Sequence, residues 1–224
     1  MRVSNFHLVI GIPLSFPMVP SSFFHSFIHM DRPTFTYIHT DNGPIEELRN
    51  NIVRESLDIG ATSLIMMDTD QVYHPKTIPT LLKHKLPIVG ALVHRRYPPF
   101  DSLMLKKKET ANTIEYESID DYEPDSLVEV DATGSGCLMF DMEVFRNMPA
   151  PWFKTVRNPD GTTLGEDVGF CKDLKAAGYR IFVDTSVPAG HLTTLCVNRQ
   201  TNILYRSMKQ KEHQLRMESA LAAA

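Results

Sequence analysis

Two carboxylates one residue apart close an apolar run: Ala61 to Met67 is followed by Asp68-Thr69-Asp70. A buried strand core has no use for acids, so the pair marks a strand's C-terminal edge. If strand geometry continues through Thr69, both carboxylates point the same way, into the crevice where open α/β sheets bind ligands. Two hard oxygen ligands suit Mg²⁺ or Mn²⁺, and such an ion suits a diphosphate. The plainer reading is an Asx turn, with Asp68 capping Thr69 to Gln71 and Asp70 merely solvated. A second acidic pair, Glu166-Asp167, opens a helical pattern, where acids either complement the helix dipole or do chemistry. His191 follows Pro188-Ala189-Gly190, which reads as a loop. It is polar surface, or a third metal ligand whose nitrogen Mn²⁺ accepts.

Those groups need elements to carry them. Asn5 to Pro13 reads as a first strand running into a turn, and Phe23 to His29 as a helix with Phe23, Phe24 and Phe27 on one face. Thr34 to Thr40, β-branched and aromatic, reads as a second strand closed by a turn at Asp41 to Pro44. Ile45 to Ile59 repeats apolar residues at helical spacing, with Gly60 as its stop. Arg49, Asn50 and Arg54 sit there among polar neighbours, the pattern of a solvated outer face. After the strand ending at Asp68, Pro75 opens a helix buried through Ile78, Leu81 and Leu82. Pro87 to Val93 is another buried strand, ending in His94-Arg95-Arg96.

Between Phe100 and Asp125, lysines followed by acids indicate a solvated edge, with short extended pieces such as Asn112 to Tyr116. Leu127 to Val130 and Cys137 to Phe140 return to strand character around a glycine-rich loop. A loop carrying Trp152 and Phe153, a helix from Glu166 closed by Gly178, and a strand from Tyr179 to Asp184 complete the series. Strands and helices alternate while polar residues collect at strand exits. That order predicts an α/β fold in three layers around a mostly parallel central sheet.

The chain's 224 residues suit one core, and its net charge of -4 provides no general field for gripping nucleic acid. Cys137, Cys171 and Cys196 have no zinc spacing and leave one without a partner, so reduced thiols in a cytoplasmic setting are expected. No signal peptide is evident, and no apolar stretch approaches a membrane span.

Four blocks, in this order and spacing, carry a resemblance: Arg49-Asn50; Asp68-Thr69-Asp70; Thr133 to Cys137 with Pro151-Trp152-Phe153 after it; and Gly165 to Val168 with Gly178 to Ile181 and His191. Over residues 7 to 192 the sequence resembles a glycosyltransferase of the A-type fold, similar to the small single-domain members of inverting family 2. The resemblance implies a nucleotide-diphospho-sugar transferase fold and metal-dependent, inverting transfer of a sugar, of the hexosyltransferase class, from a UDP- or GDP-type donor to a hydroxyl acceptor such as a glycan.

It also implies roles. Asp68 and Asp70 match the Asp-x-Asp motif, and His191 the ligand that completes a Mn²⁺ or Mg²⁺ site with them. Asp167 matches the acid that takes the acceptor's proton, with Glu166 orienting it. Ile12 and Pro13 match the turn beside the nucleotide base. Asp41, Arg49, Arg95 and Arg96 fall on the donor side, where a guanidinium suits paired phosphate oxygens. Gly134, Ser135, Gly136, Trp152 and Phe153 fall on the acceptor side, although Trp152 is also apolar enough in context to be a core residue.

The first turn, Pro13 to Pro17, and the His39-Thr40 pair before Asp41 depart from the common family pattern and leave the nucleotide open. Residues 1-192 are expected to form the catalytic domain and 193-224 a helical tail. That tail can cover the domain, form a homodimer or touch an anionic surface. Three other readings keep the fold and change the activity. They are a transferase acting on a modified nucleic-acid base, a nucleotidyltransferase, and a non-catalytic carbohydrate-binding protein. Gly11-Ile12-Pro13 is not the glycine-rich basic loop that a triphosphate would require.

Overall fold

Apolar runs covered on both faces become strands, and the amphipathic segments between them become helices. A computed structural model describes residues 6–109, 114–158 and 160–222. Residues 1–5 of the expected catalytic domain and 223–224 of the expected tail lie outside the described residues, as do 112–113 of the expected edge strand. The first half of the chain runs β1 (Leu8–Leu14), α1 (Ser21–Ile28), β2 (Phe35–Asp41), α2 (Ile45–Asp58), β3 (Ser63–Met67), β4 (Gln71–Val72), α3 (Thr77–His84) and β5 (Ile88–Val93). Then follow β6 (Leu105–Glu109), β7 (Ile114–Ser118), β8 (Leu127–Val130), β9 (Cys137–Asp141), α4 (Met142–Asn147), β10 (Val156–Arg157), β11 (Thr163–Leu164), α5 (Glu166–Ala176), β12 (Ile181–His191) and α6 (Arg199–Ala222). The chain divides into two compact units, Met1–Leu192 and Thr193–Ala224, the second built on α6.

The central sheet has the order β2-β1-β3-β9-β5-β12-β4, with β8 also paired to β12. β1 pairs in parallel with β2 and β3, and β5 with β12. β9 is inserted antiparallel between β3 and β5, and β8 and β4 run antiparallel to β12. The sheet is mostly parallel, and its antiparallel member at the centre sets the site. Because β9 runs backwards, its first residue, Cys137, lies opposite the last residue of β3, Met67. The loop before β9 therefore sits at the same sheet edge as the C-terminal ends of β1, β3, β5 and β12.

One hydrophobic cluster includes Ile52, Leu64, Phe140, Phe145, Trp152 and Phe170, and a second includes Ile10, Phe23, Ile65, Ile78 and Val89. Two helical expectations are corrected. On α1, Phe23 is buried but Phe24 is exposed, since consecutive residues are about 100° apart around a helix. On α2, Arg49 and Asn50 are buried, not solvated, because that turn of the helix faces the acids at the sheet edge and the loop carrying Trp152.

Candidate active site

The turn after β3 is fastened to the loop before β9. The Asp68 N–H donates to the Gly136 carbonyl at 2.9 Å, and the buried Tyr73 hydroxyl donates to the carbonyls of Asp68, at 2.6 Å, and Gly136, at 2.8 Å. Asp68 directs its carboxylate at Arg49, whose Nη2 donates at 3.0 Å. The same guanidinium uses Nε to donate to Glu166 at 3.2 Å. Burial works against the charge on Arg49, but Asp68 and then Glu166 outweigh it and raise its pKa further.

Asp70 meets His191 at the end of β12, with Nε2 and Oδ2 3.2 Å apart. The other ring nitrogen of His191, Nδ1, donates to the His94 carbonyl at 2.8 Å. That bond fixes the ring and leaves Nε2 to face the carboxylate. Arg96 donates to the same Asp70 oxygen at 2.8 Å. Burial alone would raise the Asp70 carboxyl; the hydrogen bond to His191 and the charges of His191 and Arg96 hold it below the usual range. His191 is raised in turn, chiefly by its hydrogen bond to Asp70.

Asp167 stands in the first turn of α5 and accepts the Val168 N–H at 2.7 Å. Burial of its carboxyl, followed by the neighbouring Glu166 carboxylate, pushes its acid up to about 6 against the pull of Arg49. The loop before β9 spans the distance between the acidic motifs. A Cβ added to Gly134 would lie 3.6 Å from Asp167 Oδ2; one added to Gly136 would strike Gln71 Nε2 and lie 2.7 Å from Asp68 Oδ2.

These residues line one cavity of about 510 Å³, within the usual range for small-molecule sites. Of the residues expected from sequence, Pro13, Arg49, Asp68, Asp70, Arg96, Gly134, Ser135, Gly136, Glu166, Asp167 and His191 all line it. Ile12 does not: it is buried in the core on β1. Asp41 ends the edge strand β2, is exposed, and accepts a hydrogen bond from Asn42. Arg95 turns to the Tyr97 hydroxyl at 2.9 Å.

Trp152 and Phe153 are also outside the cavity, in the core. The indole N–H of Trp152 donates to the carbonyls of Phe145, at 3.2 Å, and Met148, at 3.0 Å, and its ring meets Phe145 edge-on. Asn50 holds that loop: its Oδ1 accepts both the Trp152 and Phe153 N–H groups, and its Nδ2 donates to the Phe153 carbonyl. Sequence reasoning missed Gln71, Ser15, Phe16, Ile45 and Leu103, which also line the cavity. Gln71 alone had a signal, its place directly after Asp70.

No protein-family model and no curated protein matches the chain. Solved structures do. The crystal structure of A197 from STIV superposes with a TM-score of 0.57 at 15% identity, covering 84% of this chain and 87% of that one. GalNAc-T7, crystallised with UDP, GalNAc and Mn²⁺, gives a TM-score of 0.56 at 10% identity, covering 86% of this chain and 45% of that one. The chain has the glycosyltransferase A-type fold. This chain thus spans less than half the length of GalNAc-T7, and what the two share is the architecture of the A-type fold.

On this A-type scaffold the expected metal trio of Asp68, Asp70 and His191 is not assembled. Among the described residues no group of three or more His, Cys, Asp or Glu side chains is arranged to hold a metal ion. The reason is local: Asp68 is drawn to Arg49, whereas Asp70 and His191 face each other. A hard carboxylate beside an imidazole of fixed orientation is a donor pair that Mn²⁺ accepts more readily than Mg²⁺, which prefers oxygen alone. Among the described residues no helix is long and apolar enough to cross a membrane.

Proposed function

We propose that this chain transfers a sugar from a UDP- or GDP-type nucleotide sugar to a hydroxyl acceptor such as a glycan, with inversion at the anomeric carbon and dependence on a divalent ion. One observation carries the reading. On an A-type fold, a single cavity is lined both by the Asp70–His191 pair and by Asp167, an acid pushed up to about 6. A base with its pKa near the working pH combines the deprotonated form with useful proton affinity.

In this mechanism the acceptor oxygen attacks the anomeric carbon as Asp167 takes its proton, and the bond from that carbon to the diphosphate breaks. With one base and no covalent intermediate, the configuration inverts. Arg49 holds Glu166 beside Asp167, which keeps the base's acid high, while its own charge limits the rise. Asp70 and His191 would hold a Mn²⁺ or Mg²⁺ ion, which would neutralise the departing diphosphate without a proton donor. Arg96, at the exposed side of Asp70, offers a guanidinium to phosphate oxygens. The cavity's acids, Asp68, Asp70, Glu166 and Asp167, outnumber its guanidinium groups, Arg49 and Arg96. An anionic donor is therefore expected to arrive with a cation.

A hydrolysis screen of UDP- and GDP-sugars with Mn²⁺ tests the reading and requires no acceptor. Slow release of UDP or GDP from one donor, lost with a chelator and with Asp70→Ala, is the expected result. Failure to bind or hydrolyse any nucleotide sugar, with or without Mn²⁺, would overturn it.

A further inference from the structure

Among the described residues, the buried side-chain atoms without a hydrogen-bond partner are Arg49 Nη1, Asp68 Oδ1, Gln71 Oε1 and Ser135 Oγ. All belong to residues lining the same cavity. Buried polar atoms are nearly always paired, so a set of orphans around one cavity marks where a ligand completes the bonding. Arg49 and Asp68 already share an ion pair. Gln71 and Ser135 are used neither by the proposed base nor by the proposed ion site, yet they are only 2% and 1% exposed.

Their chemistry narrows the ligand. The Gln71 amide offers an acceptor, Oε1, beside a donor, Nε2, and the Ser135 hydroxyl can donate or accept. Together they suit a neutral, hydroxyl-rich group. Their position narrows it further. Gln71 directly follows Asp70 and pairs through its backbone with His191, in the β4–β12 ladder. Its amide lies against Gly136, where any Cβ would displace it. Ser135 lies between Gly136 and Gly134, the glycine beside Asp167. The reacting sugar must lie between the base and the departing diphosphate, which is the interval these two residues border.

We infer that Gln71 and Ser135 form a subsite that reads hydroxyl groups of the donor sugar, with Gln71 separating a nucleotide sugar from the bare nucleoside diphosphate. This rests on the transferase reading above. The test is calorimetry on the full chain with Mn²⁺, titrating UDP, UDP-glucose, GDP and GDP-mannose into wild type, Gln71→Leu and Ser135→Ala, with melting curves to verify folding. Gln71→Leu should bind UDP or GDP within about two-fold of wild type and bind the matching nucleotide sugar about 10- to 100-fold more weakly; Ser135→Ala should show the same split at about 3- to 10-fold.

An equal loss for nucleotide and nucleotide sugar in a folded variant, or no loss for the sugar, overturns the inference and leaves the transferase reading standing. A wild-type chain that binds neither class of ligand overturns both. If Gln71→Leu does not fold, Ser135→Ala decides on the same split.

Discussion

Arg49 and Glu166, 117 positions apart in the chain, meet at 3.2 Å, and the same guanidinium holds Asp68 at 3.0 Å. Arg49→Met would leave both carboxylates facing an apolar side chain. Breaking a buried ion pair from one side costs about 3 to 5 kcal/mol, so the melting temperature should fall by on the order of 10 °C. Because Arg49 lowers the Asp167 acid, the pH at which transfer begins should also move upward. A melting curve and pH–rate profile that coincide with wild type would remove Arg49 from this role.

Asp167 sets the acid limb. Transfer should rise with pH as its carboxyl, at about 6 in the folded chain, loses its proton. Asp167→Asn should lower turnover by about 10²- to 10⁴-fold while leaving nucleotide affinity nearly intact. The linkage to stability has the opposite direction. A folded-state acid raised above its usual 3.8 favours the protonated form, so its stabilising effect is complete below that value and is lost as pH rises through about 6. Denaturant titrations at pH 4 and pH 8 should show less pH dependence in Asp167→Asn than in wild type.

Asp70 and His191 should show the reverse ranking. Asp70→Ala and His191→Ala should lose metal-dependent nucleotide binding first, and chelation should lower UDP or GDP affinity in wild type by on the order of 10²-fold. Equal affinities with and without Mn²⁺ would show that the pair holds no ion that matters to the donor.

Trp152→Ala should behave as a core truncation. The ring is buried, and its N–H has two carbonyl acceptors, so about 3 to 5 kcal/mol of stability should be lost. Kinetics on the folded fraction should leave the acceptor Michaelis constant unchanged. A stable variant with a raised acceptor constant would return the tryptophan to the site.

Asp68 and Asp70 could be read from the sequence because they break a local rule, ending an apolar run in two charges; Glu166-Asp167 obey one, as acids in the first turn of a helix, and stand out only through the resemblance. Trp152 reads from the sequence as an acceptor wall and is instead core, since an apolar, proline-flanked loop looks the same in either role. Only the carbonyls of Phe145 and Met148 decide it. Arg49 and Asn50 read as solvated because their neighbours are polar; Arg49 finds Asp68 across the sheet edge, and their remaining partners, Glu166, Trp152 and Phe153, lie more than a hundred residues downstream. Gln71 was missed for a similar reason, since the fold brings the turn after β3 against the loop before β9; Ser135, by contrast, stands in the glycine-rich loop that the sequence already places at the site. The direction of β9 was equally silent, because a short buried apolar run carries no sign of its orientation.

That strand also fixes an order of assembly. β9 separates β3 from β5, yet it is synthesised about 50 residues after β5 is complete, which at about 5–20 residues per second is a wait of roughly 2–10 s. During that interval β3 keeps one unpaired edge, and β5, whose other neighbour β12 is made later still, keeps two. A chain truncated before Cys137 should therefore aggregate, and one extended through Asp141 should aggregate less, since β9 closes the gap between β3 and β5 while the other edge of β5 stays open until β12.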